Sequence, residues 1–111
     1  MNPFGISDKS YDLLMGAFSQ FPEVEEVVIF GSRAKGNFKN GSDIDLAIKG
    51  KNCSGQTAMD INAMLNERLP IPYHIDVVFY DGLAHEGLKQ HIDLVGKLFY
   101  CQPSMNFAAS P

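Results

Sequence analysis

Val27-Val28-Ile29-Phe30-Gly31-Ser32, then ten residues, then Asp43-Ile44-Asp45-Leu46-Ala47-Ile48, is the stretch from which the rest of the chain can be read. Four β-branched or aromatic residues run into a glycine and a serine, the pattern of a buried strand that stops in a tight turn. The strand is expected over residues 24–30 despite Glu25 and Glu26. Residues 33–42 hold two Gly, two Asn, two Lys and one Arg, which predicts a short helical turn and a polar loop. Residues 43–49 alternate: Ile44, Leu46 and Ile48 point one way, and Asp43, Asp45 and Ala47 the other. This is a strand with one apolar face and one face that carries carboxylates.

Outward from that pair, Ser7 caps a helix with Tyr11, Leu14, Met15 and Phe18 at helical spacing, closed near Pro22. A Gly/Ser/Asn loop spans 50–56, and a helix over 57–69 places Ile61, Met64, Leu65 and Leu69 on one face before Pro70 and Pro72. Residues 74–80 predict a third strand, with Ile75, Val77 and Phe79 opposed to His74, Asp76 and Val78. A last helix is expected over 84–99, burying Leu88, Ile92, Val95 and Phe99, followed by a loose or partner-binding tail over 101–111. The order α-β-(turn)-β-α-β-α predicts a single α/β (α+β) domain over 1–111. It is built on a small mixed sheet of three or more strands, with helices packed mainly on one face.

Composition narrows the function. A chain of 111 residues with 45% hydrophobic residues has the makings of one folded core. Nine basic against thirteen acidic residues leave a net charge of 9 − 13 = −4, so a broad grip on a nucleic-acid backbone is disfavoured. No stretch is apolar for long enough to span a bilayer and no secretory leader is visible, so a cytoplasmic protein without membrane contact is expected. Cys53 and Cys101 lack zinc-ligand spacing and read as thiols in a reducing compartment.

Three features carry chemistry. Gly31 allows close backbone approach to a bulky anion, and Ser32 offers a hydroxyl and an N–H beside it. Asp43 and Asp45, two apart on a strand, present carboxylates on one face about 6–7 Å apart. Asp76 occupies the corresponding face of another strand. If the two strands are neighbours, three carboxylates meet, an oxygen-only set suited to divalent magnesium. Taken singly, each feature is more often a plain turn or a solvated aspartate; the joint spacing gives them weight.

That joint spacing, Gly31-Ser32-Arg33-Ala34-Lys35-Gly36 followed by Gly41-Ser42-Asp43-Ile44-Asp45-Leu46 and by Asp76, resembles the signature of the DNA polymerase β nucleotidyltransferase superfamily. It looks most like the minimal nucleotidyltransferases (MNT) paired with HEPN proteins in toxin–antitoxin systems. The likeness runs from about Val24 to Tyr80. It implies that Gly31 and Ser32 hold nucleotide phosphates, that Asp43, Asp45 and Asp76 bind Mg²⁺ in a two-metal site, and that Asp76 helps deprotonate the acceptor. Arg33, Lys35 and Ser42 are further nucleotide-binding candidates, the first two by charge and position beside Ser32. The implied reaction moves AMP from ATP to a hydroxyl, a tyrosine of a HEPN partner. A binding-only antitoxin and a small-molecule transferase of the aminoglycoside-modifying kind are the competing readings. With so short a chain, the acceptor half of the site is expected to come from a partner. His74 is expected as a neighbour of Asp76, and His85 and His91 as helix-surface residues.

Overall fold

The structure is a computed structural model and describes residues 2–103. Among the described residues, four α-helices and four strands are built from the elements anticipated, with one addition. Helix α1 (Asp8–Ser19) begins where the Ser7 side chain accepts the Ser10 N–H, as its sequence predicts. Strand β1 (Glu26–Phe30) leads directly into the one-and-a-half-turn helix α2 (Gly31–Lys35), and β2 (Ile44–Lys49) follows the polar loop. Helix α3 (Gly55–Ala63) opens on a capping box between Ser54 and Thr57 and continues as a π-helical segment, Met64–Arg68. Strand β3 (Ile75–Phe79), a 3₁₀ turn at Tyr80–Gly82 and helix α4 (Glu86–Val95) come next, and α4 starts with His85 Nδ1 accepting the Leu88 N–H.

The addition is β4 (Lys97–Cys101), which replaces the last part of the expected helix over 84–99. Gly96 ends α4, where a Cβ would collide with the Ile92 carbonyl oxygen, and the chain turns back to pair antiparallel with β1. Four-residue spacing had joined Val95 to Phe99 on one helical face. Phe99 instead lies on the opposite side of the sheet from Ile92, its ring 5.8 Å from Phe4, 5.5 Å from Tyr11 and 6.5 Å from Phe18. Burying one such side chain is worth about 1.5–3 kcal/mol, more than the helical propensity of five residues can oppose. Cys101 thus belongs to a strand, and Gln102 is tied to Glu25 and Pro22 carbonyls; the remainder of the expected tail lies outside the described residues.

The strands form one mixed sheet in the order β3-β2-β1-β4, parallel between β2 and β3 and antiparallel elsewhere. Ile44, Leu46 and Ile48 join Val27, Ile29, Ile75 and Val77 on one face, under α1, α3 and the π-helical segment. Most of the helical cover is on this side. Helix α4 packs a smaller cluster, with Phe30, Ala47 and Ile92, onto part of the other face. The uncovered end of that second face is where the aspartates emerge. No described helix is long and apolar enough to cross a membrane.

Candidate active site

The alternation of β2 that buries Ile44, Leu46 and Ile48 necessarily turns Asp45 to the other face. Parallel pairing of β2 with β3 then sets Asp45 directly against Asp76, and antiparallel pairing sets it against Phe30, the last residue of β1. Asp43 stands just before β2, exposed, at the exit of the turn Lys39–Ser42. The three candidate carboxylates are thus brought to one end of the sheet from two strands.

Electrostatics shows that they feel one another. The Asp45 carboxyl is pushed above its usual value, first by partial burial, then by the charges of Asp76 and Asp43, with His91 and His74 pulling weakly the other way. Among the described residues no hydrogen-bond donor or cation pairs with Asp43, Asp45 or Asp76. An uncompensated acidic cluster with oxygen-only donors fits a hard divalent cation. Among the described residues no three such side chains close on a single point tightly enough to hold an ion by themselves. The expected meeting of three carboxylates is thus found only as placement at one end of the sheet; Mg²⁺ is commonly held by one or two carboxylates together with waters and substrate phosphates.

Gly31 lies against this cluster. Its backbone has φ +75°, the left-handed region that favours glycine, and a Cβ there would make the Asp45 carboxylate swing aside. Ser32 follows, partly exposed, its hydroxyl without a protein partner among the described residues. Gly36 ends α2 in the left-handed region at φ +85°, and Lys35 is exposed.

Two expected nucleotide contacts are placed otherwise. Arg33 is 2% exposed. Its Nε and Nη2 donate to the Ser42 carbonyl at 3.1 and 2.8 Å, and its Nη1 to the Phe4 carbonyl at 2.8 Å and to that of Gly5 at 3.3 Å. Its guanidinium also lies 5.0 Å from the Phe38 ring centre and 4.9 Å from that of Tyr73. Arg33 is directed inward as a brace between the N-terminal segment and the loop before β2, because α2 turns its third residue toward the core while Lys35 faces water. Ser42 is the other end of that brace, and its Oγ accepts the Lys39 N–H at 2.9 Å, so it shapes the turn that delivers Asp43.

His91, a helix-surface position by its sequence, is half-buried near the cluster. Its ring stands edge-on to Phe30 at 6.1 Å and its charge is felt by Asp45. The available signal was its place beside the sheet-facing Ile92. His74 lies exposed near Asp76, as expected, and its carbonyl accepts the Ile44 N–H.

A strand, a glycine turn and a three-aspartate cluster in this topology define the class of the fold. Residues 14–104 match the family described as polymerase beta, nucleotidyltransferase, and the chain belongs to that family. No curated protein matches it by sequence. Among solved structures, a chain of a toxin–antitoxin complex with AMP-PNP superposes with a TM-score of 0.64 at 18% identity, over 92% of this chain and 80% of that one. A chain of the complex between a tri-AMPylated Shewanella oneidensis HEPN toxin and its MNT antitoxin superposes with a TM-score of 0.61 at 17% identity, over 90% and 76%. A putative nucleotidyltransferase from Sulfolobus solfataricus gives 0.53 at 25% identity, over 83% and 77%.

Proposed function

We propose that this nucleotidyltransferase domain transfers AMP from ATP to a hydroxyl of a HEPN-family partner protein, a tyrosine by the sequence resemblance, and so acts as an antitoxin. The observation that carries the reading is the trio Asp43, Asp45 and Asp76, unpaired and crowded beside the Gly31–Ser32 turn. The likeness to MNT–HEPN complexes, one with an AMPylated toxin, supports the choice of partner and acceptor.

In this reading the backbone at Gly31 and the Ser32 N–H and hydroxyl receive the triphosphate, with Lys35 free to approach it from the solvent side. Asp43 and Asp45 hold Mg²⁺, and Asp76 shares in that binding. The metal supplies charge neutralisation at the phosphates. Asp76 accepts the proton of the attacking hydroxyl; the hydroxyl oxygen bonds to the α-phosphorus, and the bond to the β-phosphate oxygen breaks, releasing pyrophosphate. An ATP donor and two cysteines that are both free thiols fit a cytoplasmic setting.

The test is incubation of the protein with its HEPN partner, Mg²⁺ and α-labelled ATP. Label on a partner tyrosine is expected. A tight complex without label would replace the transferase by an occluding module, and label on an aminoglycoside added in a parallel reaction would move the substrate class.

A further inference from the structure

Strand β3 lies at the edge of the sheet, so only one of its rims is paired with a strand. In a parallel pair, alternate residues turn both their N–H and their C=O toward the same rim. The His74 carbonyl faces inward and accepts the Ile44 N–H at 2.9 Å, which leaves the peptide groups of Ile75 and Val77 on the outer rim. Both are met by asparagine side chains. Asn66 donates to the Ile75 carbonyl at 2.8 Å and accepts the Ile75 N–H at 2.9 Å. Asn62 does the same at Val77, again at 2.8 and 2.9 Å. A primary amide offers a donor and an acceptor side by side, as a strand residue does, so the two asparagines stand in for a missing neighbour.

The spacing makes this possible. Four residues of helix rise about 6.0 Å and two residues of strand about 6.6 Å, so side chains at i and i+4 meet alternate strand peptides nearly in step. Asn66 also donates to the Asn62 carbonyl at 3.0 Å, tying the two rungs together, and the change from α to π winding at Met64 falls between them. Asp76 is the residue between the rungs. Its side chain is exposed and without a protein partner, so its direction depends on the backbone that carries it.

We infer that Asn62 and Asn66 are positioning residues that clamp the outer rim of β3 and thereby hold Asp76 in register beside Asp45. The inference rests on the transferase reading above for its functional meaning, but the placement of Asp76 is measurable without turnover. Shielding a bare strand edge from other chains is the competing role for such a ladder.

The test uses the full chain with Asn62→Leu plus Asn66→Leu, and Asn66→Leu alone in case the double variant does not fold. Both changes keep side-chain size and remove both hydrogen bonds of a rung. Amide exchange at Ile75 and Val77 is expected to be slow in the wild type and fast in the variants. With Mg²⁺ and a non-hydrolysable ATP analogue, the side-chain carboxyl ¹³C signals of Asp43, Asp45 and Asp76 are expected to shift on binding in the wild type, and in the variants those of Asp43 and Asp45 but no longer that of Asp76. Transfer to the partner should fall about 10- to 100-fold in kcat, the scale of lost support behind a metal ligand, with the KM for ATP changed less than about twofold. Rapid exchange at Ile75 and Val77 in the wild type would overturn the inference. So would folded variants with wild-type carboxyl shifts and rate, which would leave only edge shielding, or shifts lost equally at all three aspartates. If the carboxyl shifts behave as expected but the wild type transfers no AMP, the positioning stands and the transferase reading fails.

Discussion

Arg33 and Asp45 are both charged and both withdrawn from bulk water, and the fold treats them in opposite ways. Arg33 is sealed in with four hydrogen bonds to three backbone carbonyls and two aromatic rings against its guanidinium. Asp45 is half-buried beside two more carboxylates, with no hydrogen-bond donor or ion-pair partner among the described residues. A buried charge is tolerable when its hydrogen-bonding capacity is met and costly when it is not. The charge answered by the chain is architecture, and the charge left unanswered is available to a ligand. Their neighbourhoods meet in the loop before β2, where the Ser42 carbonyl that Arg33 grips lies next to Asp43.

The comparison breaks most visibly at the aspartates. Asp43→Asn with Asp45→Asn should lower AMP transfer by at least about 10²- to 10³-fold, the scale of losing a preorganised electrostatic group, while the thermal midpoint holds or rises. Labelled transfer and a melting curve on the same preparation check both halves. Activity surviving in the double variant would remove these residues from the chemistry. A large fall in midpoint would mean that they are structural after all.

Arg33 should show the reverse. Arg33→Met strands the carbonyls of Ser42 and Phe4 and should cost on the order of 3 kcal/mol in denaturant unfolding. Arg33→Lys should recover little, since an ammonium group cannot donate in parallel from two nitrogens and stack between rings. Had Arg33 been a phosphate ligand, the Met variant would keep its stability and show a raised KM for ATP. That outcome would return it to the nucleotide site.

The same contrast explains what could be read beforehand. Alternation in residues 43–49 fixes which face carries the aspartates, because a strand has a period of two whatever it pairs with. The closeness of Asp45 and Asp76 needed only that their strands be neighbours, which the short α3 crossover provides. The direction of Arg33 was not legible: a cation beside a glycine turn reads the same whether it faces phosphate or the carbonyls of Phe4 and Gly5, which are almost thirty residues away. The β4 strand was hidden because Leu88, Ile92, Val95 and Phe99 satisfy a helical period across Gly96. Only the need for Phe99 among Phe4, Tyr11 and Phe18 decides against it. The asparagine ladder depends on which strand lies at the edge, a property of the assembled sheet and not of any local stretch.

The pH dependence of stability sharpens the Asp45 side. Its folded carboxyl titrates above the ordinary value of 3.8, so on raising pH the unfolded chain loses this proton first. Below 3.8 the group is protonated in both states and its favourable contribution is complete; as pH rises through the folded value that contribution is lost. Asp45→Asn should therefore melt above the wild type at pH 7, with the gap closing toward pH 3. Millimolar Mg²⁺ should narrow the gap at pH 7 by binding the wild type. A variant that melts below the wild type at every pH would contradict the crowding of carboxylates at this site.

Cys53 supplies the smallest effect and a third way of handling charge, which is to prevent it. Its thiol is buried, donates to the Glu23 carbonyl at 3.2 Å, and is pushed up to about 11 by burial and then by the Glu23 and Glu25 carboxylates. At pH 8 about one folded molecule in a thousand would hold the thiolate, against about one in ten at the ordinary value of 9.0. Iodoacetamide should then modify Cys53 at least about a hundredfold more slowly in the native protein than in urea, with mass spectrometry locating the label. Equal rates would mean that this end of the sheet opens readily. Slow modification would place Cys53 with Arg33, among groups whose charge state the fold itself decides, and apart from Asp45, which the fold leaves half-buried beside two carboxylates.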